Sequence, residues 1–214
     1  KIGACVKHFA GYGAPTGGRD YNNVELSERT LRDDYLPAYE AAVKAGALLV
    51  MTSFNTLNHV PSTANKWLMR KVLREEMGFD GVIITDSVLM NSYRTICGYE
   101  EALIRSINAG NDVLLGVDPY DYEIVYNAVM DGRIPMSRID ESAERVLKLK
   151  EKLGLFDEEE PEQIDIKKQT AITADINKQI ADKAVTLLYD KNKMLPLSKD
   201  KIKKVTIVCS SHAD

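Results

Sequence analysis

Four short apolar runs, each followed by a stretch of helical periodicity that stops at a glycine, govern what this chain can fold into. The runs lie at about Gly3 to Lys7, Ala47 to Phe54, Gly81 to Thr85 and Asp112 to Val117. The second is near-continuously apolar, as a strand covered on both faces has to be. Between the runs, Ser27 is placed as an N-cap with Glu28 in the first turn, Leu31, Tyr35, Tyr39 and Val43 recur every four residues, and Gly46 closes the segment. Pro37 inside that stripe predicts a kink. Thr63 is expected to cap the next helix, whose Leu68, Val72 and Leu73 face inward until Gly78, and a third helix is expected from about Tyr99 to Ala109. Strands alternating with helices across short connections read as βαβ units on a parallel sheet, so the expected class is α/β with about four such units.

Past the fourth run, Tyr122 to Met130 reads as one helix, and Ser137-Arg138-Ile139-Asp140 opens another as a capping-box-like start with an apolar face ending at Gly154. The acidic, proline-interrupted stretch Asp157 to Glu162 has the composition of a surface crossing between domains. Beyond it, Ile172 to Tyr189 is expected to be mostly helical and Val205 to Cys209 to form one strand. A single strand is no domain, so this piece belongs to a larger body or packs on the first.

Composition excludes several classes of function. The 28 basic and 32 acidic side chains leave a net charge of −4 without a basic stripe, which argues against nucleic-acid binding. No apolar run approaches the ~20 residues that would span a bilayer, so no membrane association is expected. Cys5, Cys97 and Cys209 are odd in number and far apart, lack metal-ligand spacing, and are expected to be small core residues. The chain opens on a strand with no starting methionine, signal peptide or cap, and is expected to be cut from something longer. Its compartment, cytoplasmic or secreted, is left open.

The chemistry-bearing residues sit where strands end. Gly81-Val82-Ile83-Ile84-Thr85-Asp86 is a strand-like run ending on a carboxylate, and Val6-Lys7-His8-Phe9-Ala10-Gly11 is another ending on a cation and an imidazole. In a parallel α/β protein, strand ends of one polarity share a pocket. Each residue also has a structural reading: Asp86 as a turn cap, His8 as a satisfied core imidazole, Lys7 as a solvated strand end. The loop from Gly11 to Glu25 is too long for a simple connector and is expected to be functional. Its glycines could suggest phosphate binding, but neither Gly11-x-Gly13 nor Gly17-Gly18 directly opens a helix.

Taken in order, Val6 to Gly11, Gly17-Gly18-Arg19-Asp20-Tyr21-Asn22, Ser27-Glu28-Arg29-Thr30-Leu31-Arg32, Val50-Met51-Thr52-Ser53-Phe54-Asn55 and Gly78 to Asp86 resemble glycoside hydrolase family 3. Ala109-Gly110-Asn111-Asp112, Arg138-Ile139-Asp140-Glu141-Ser142, Leu153-Gly154-Leu155-Phe156, Ala184 to Leu188 and Leu195-Pro196-Leu197 extend the resemblance over nearly the whole chain. The resemblance implies a partial (β/α)8 TIM-type barrel, a linker and the first strand of an α/β sandwich domain. Residues 1–156 would be the second half of the barrel, 157–190 the linker and connecting helix, and 191–214 the opening of the sandwich. Four βα units leave two open sheet edges, so self-association or a companion chain completing the barrel is expected.

The resemblance also implies roles. Asp86 would be the nucleophile of a retaining glycosidase acting on an oligosaccharide or β-glycoside, with Lys7 and His8 donating to sugar hydroxyls and Lys7 helping to keep Asp86 ionised. Met51, Phe54 and Ser87 match substrate-lining positions. Phe54 stands where the β-glucosidase branch often has Tyr, and Ser87 where many β-glucosidases carry Trp. The Gly11–Glu25 loop holds Asp20 but lacks the His of the N-acetylglucosaminidase branch, so the general acid is expected to be a Glu outside this chain. Ser87, Met90 and Ala109 to Asp112 nevertheless look closer to the N-acetylglucosaminidase branch. A β-N-acetylglucosaminidase and a non-catalytic carbohydrate-binding or interaction module are the alternatives. No metal or cofactor is implied, since retaining hydrolysis needs none.

Overall fold

The computed structural model describes residues 2–88, 97–157 and 164–191, together with residues 193, 195–198, 200, 202, 204 and 206. The chain divides into two compact units, Lys1–Glu158 and Glu159–Asp214. In order, the first unit contains β1 (Cys5–Phe9), α1 (Glu28–Thr30), a π-helical segment (Leu31–Tyr35), α2 (Leu36–Lys44) and β2 (Leu49–Thr52). A short hairpin of β3 (Thr56–Leu57) and β4 (Val60–Pro61) and a second π-helical segment (Trp67–Glu76) follow. The unit closes with β5 (Val82–Ser87), α3 (Tyr99–Ala109), β6 (Val113–Leu115), α4 (Pro119–Met130) and α5 (Met136–Lys152). The four long-range strands pair in parallel in the order β1-β2-β5-β6, the four βα units expected from the sequence.

Strand register sorts the residues onto two unlike faces. Val50 lies opposite Ile83, and both are fully buried in a cluster with Leu31, Leu36, Leu68, Met69, Val72 and Leu73 from the helical segments. One residue out of phase, Cys5 pairs with Leu49, and Met51 with Ile84, which pairs in turn with Val113. A register shift between Val6 and Phe9 interrupts this alternation at the end of β1, so that Phe9 joins the core cluster and His8 is brought to Asp86 at the end of the second face. Apart from Val82 at its base, the residues of this face are half-buried or exposed.

The stripe Leu31, Tyr35, Tyr39 and Val43 packs into the same core. Pro37 takes the second position of α2, and the Leu36 N–H donates five residues back to the Leu31 carbonyl. The expected kink is thus a widened π turn, which accommodates a residue that has no N–H to offer the ladder. The Ser27 hydroxyl accepts the Thr30 N–H at 3.0 Å, as an N-cap should. Three local expectations are corrected. Thr63 is buried and donates to the Ser53 carbonyl at 2.9 Å, while the Asn65 side chain accepts the Leu68 N–H at 3.1 Å and so does the capping. Helix α5 begins earlier than the Ser137 box, after Pro135 in extended conformation and without a side-chain cap. Cys5 is exposed rather than in the core, and Cys97 is half-buried.

An ionic cluster ties β5 and β6 to the helices behind them. The wholly buried Asp112 carboxylate accepts from Arg138 at 2.6 Å, Arg74 at 2.7 Å and Arg145 at 3.1 Å, and from the Ile83 N–H at 3.0 Å. Glu141 accepts from Arg70 and Arg145, each at 2.5 Å, and from Arg138 at 2.7 Å. The Arg70 hydrogen bonds foremost, then those of Arg145, hold the Glu141 carboxyl far below the usual carboxylate range despite partial burial. Burial and the neighbouring arginines push Arg74 down to about 10 in spite of Asp112.

In the second unit, the Asp165 carboxylate accepts the Lys168 N–H at 3.1 Å and opens α6 (Ile166–Ala184). This helix starts before the expected Ile172 and ends short of Tyr189, where Val185 turns extended. The expected strand Val205 to Cys209 lies, Thr206 aside, outside the described residues, as do Met90 and the acidic stretch beyond Asp157.

Candidate active site

At the carboxyl ends of β1 and β5, His8 Nε2 stands 3.4 Å from Asp86 Oδ2, with each side chain about one-fifth exposed. Strand pairing through β2 brings two residues 78 positions apart into this contact, and the Asp86 carboxylate is aimed by the Ser87 N–H, which donates to Oδ1 at 2.8 Å. The His8 backbone is fixed from behind: its carbonyl accepts the Tyr39 hydroxyl at 2.5 Å, and the Tyr39 ring meets Phe9 edge-on at 5.0 Å. The helical stripe predicted from Leu31 to Val43 therefore delivers a hydrogen bond to the site as well as core packing.

Burial, and then the neighbouring Lys7 charge, lower the His8 pKa below 6.5, while Asp86 and Asp20 pull the other way. At neutral pH the imidazole is neutral, and the nitrogen facing a carboxylate is assigned the proton. His8 then presents an N–H toward Asp86 without neutralising its charge.

A second pair of residues lies against the first. Tyr12 meets the His8 ring edge-on at 5.0 Å, and its hydroxyl donates a short hydrogen bond to Asp20. Burial and this bond push the phenol well above its ordinary range, so it stays protonated. Asp20 also accepts the Tyr21 N–H at 3.1 Å. The loop carrying these residues is pinned to the hairpin: the Val24 N–H donates to the Thr56 carbonyl at 2.7 Å, and the Asn58 N–H to the Val24 carbonyl at 2.8 Å. The sequence marked Asp20 within a motif but gave no reason to join it to His8. Tyr12 carried no signal, because a tyrosine in a glycine-rich loop looks like any exposed aromatic.

The remaining expected site residues divide. Lys7 is exposed next to His8, and Met51 is half-buried on the adjacent strand β2. Ser87 ends β5 and serves Asp86 through its backbone. Phe54 is buried in a cluster with Val88, Ala102, Leu103 and Ile124, and Tyr21 meets its ring at 6.1 Å. Below the site, Ser53 donates to the Ala10 carbonyl at 3.4 Å, and Asn111 donates to the Thr63 and Ser106 carbonyls, each at 2.8 Å. These contacts hold the loops that leave β1 and β2.

Residues 1–149 match the family described as "Glycosyl hydrolase family 3 N terminal domain". The chain belongs to glycoside hydrolase family 3. Over 204 residues it is 32% identical to a periplasmic beta-glucosidase of Salmonella typhimurium, a match covering 91% of this chain and 26% of that protein. Over 219 residues it is 34% identical to a beta-xylosidase of Formosa agariphila, covering 96% and 30% respectively. The crystal structure of a beta-glucosidase from Listeria innocua superposes with a TM-score of 0.74 at 40% identity, covering 93% of this chain and 28% of that one. The parallel sheet and its helices are thus part of the TIM-like barrel of that family, and the chain spans under a third of the length of the relatives it matches.

Proposed function

We propose that this chain carries the nucleophile side of a retaining β-glycosidase site, with glucose-like or xylose-like terminal residues as the substrate class. The carrying observation is the placement of Asp86: a carboxylate at the end of β5, on the uncovered face, beside a neutral imidazole 3.4 Å away. In the reaction, an Asp86 oxygen attacks the anomeric carbon as the bond to the leaving oxygen breaks. That oxygen takes a proton from a general acid, and water then displaces Asp86 from the glycosyl-enzyme. Lys7 and His8 supply donors for sugar hydroxyls, and Met51 an apolar wall on the neighbouring strand.

The acid, a glutamate, comes from polypeptide outside these residues, and so do the strands that complete the barrel. Two facts support this: β1 and β6 are the outer strands of the described sheet, and the relatives are more than three times as long as the match. A positioned acid contributes roughly 10²–10⁴-fold, so the chain alone turns over ordinary glycosides slowly while still forming an adduct with an activated sugar. The test is peptide mapping by mass spectrometry after exposure to a 2-deoxy-2-fluoroglucosyl fluoride, on this chain and on the longer protein that contains it. An adduct on the peptide carrying Asp86, absent from Asp86→Asn, is expected. An unlabelled longer protein would point instead to a binding module that has kept the scaffold.

A further inference from the structure

We propose that Tyr12 and Asp20 are a positioning pair for His8, holding its imidazole against Asp86 and setting the charge state in which it meets substrate. The proposal rests on the reading of Asp86 as nucleophile for its meaning in catalysis, but the geometry stands without it. Four groups form a continuous path: the Asp20 carboxylate accepts the Tyr12 hydroxyl, the Tyr12 ring stands edge-on to His8 at 5.0 Å, and His8 Nε2 lies 3.4 Å from Asp86. An edge-on ring contact fixes the tilt of the imidazole, because the electropositive edge of one ring prefers the face of the other. By itself Tyr12 could swing about its side-chain torsions. The bond to Asp20, itself anchored by the Tyr21 N–H, removes that freedom.

The charged and titratable groups around His8 come from every element packed on it. Lys7 precedes it on β1, Asp86 faces it from β5, Tyr12 and Asp20 from the loop after β1, and the Tyr39 hydroxyl binds its carbonyl from α2. Lys7 disfavours the imidazolium, and the two carboxylates favour it. The Tyr12 hydrogen bond spends part of the Asp20 charge on the phenol. Tyr12 therefore weakens the pull of the Asp20 carboxylate toward the imidazolium, and His8 stays a neutral donor beside Asp86.

This arrangement predicts opposite responses to two small changes. Asp20→Asn removes a charge that favours imidazolium, so the His8 midpoint falls. Tyr12→Phe keeps the ring but leaves the Asp20 charge unshared, so the midpoint rises. Each shift is about 0.2–0.7 pH unit, the scale of one partly solvated charge neighbour. The experiment is an NMR titration of the imidazole resonances in the full chain, whose three histidines are separated by a His8→Gln spectrum. Shifts of opposite sign are expected. Shifts of the same sign, or midpoints within about 0.1 unit of the parent, would overturn the proposal, since loop packing alone predicts no sign difference. If Tyr12→Phe fails to fold, Asp20→Asn against Asp20→Glu decides: a fall restored by glutamate supports the pair, and no movement sinks it. Labelling by the fluorosugar, read in parallel, separates the two readings. Opposite midpoint shifts without any adduct would leave the positioning pair intact and remove the glycosidase assignment.

Discussion

Replacing Asp112 with asparagine tests the ionic cluster that fixes the strand carrying Asp86. The side chain is wholly buried and receives three guanidinium donors between 2.6 and 3.1 Å together with the Ile83 N–H. Asparagine has the same shape but no charge, and its NH2 group would face donors that need an acceptor. Arg70, Arg138 and Arg145 would then share Glu141 as their carboxylate, and Arg74 would keep only the Phe79 and Gly81 carbonyls. Removing one member of a buried charge cluster costs about 3–5 kcal/mol, because the partners stay buried without compensation. For a unit of this size that corresponds to a fall in Tm of roughly 6–20 °C, at 2–4 °C per kcal/mol. The assay is urea unfolding of parent and variant, followed by far-ultraviolet circular dichroism and by fluorescence of the single tryptophan, Trp67. As a reference, Glu40→Gln breaks the exposed Lys44–Glu40 pair and should cost no more than ~0.5 kcal/mol. An Asp112→Asn loss below about 1 kcal/mol at unchanged m-value would refute the reasoning, since the arginines would then be finding water.

Two further outcomes follow from the same unit. At Gly81 an added Cβ would sit 2.3 Å from the Leu48 carbonyl oxygen and 2.7 Å from the Phe79 ring, so Gly81→Ala should destabilise by at least about 1–3 kcal/mol, read as a lower urea midpoint. Glu141 has a depressed folded-state pKa, so its contribution is present above the unfolded value and lost as pH falls toward the folded one. Urea midpoints should therefore drop between about pH 5 and pH 2, and Glu141→Gln should flatten that slope while lowering stability at pH 7.

The strands and helices were readable because their signals are local: apolar runs with β-branched residues, a four-residue stripe, glycine stops. Helix α3 and the Ser27 cap fall where periodicity and cap chemistry put them. The errors were also local. Thr63 and Asn65 are both able caps two residues apart, and the Thr63 hydroxyl is taken by the distant Ser53 carbonyl, which leaves Asn65 to reach a free N–H. Residue type alone argues for Cys5 in the core, but register puts it on the face the helices do not cover. Of the site, the approach of His8 to Asp86 could be anticipated because both end strands of one polarity. Tyr12 could not, since its partners are set by the fold of a loop with no periodicity. Asp112 stood out in the sequence only as part of a motif, because its arginines arrive from separate helical segments up to 38 residues away.

The two-faced sheet has a bearing on how such a protein can change. A strand alternates its side chains with each residue, so Thr85 and Asp86 live under different rules although they are neighbours. A substitution at Ile83 or Val50 is judged by packing against the helices, and one at the buried Thr85 by the bond its hydroxyl accepts from the Leu115 N–H. Asp86, Ile84 and Met51 are half-buried and Lys7 is exposed, so a substitution there meets looser surroundings. Change can therefore fall on alternate residues of β2 and β5 while the residues between them conserve the scaffold. An insertion of a single residue within β5 would exchange the two roles at once.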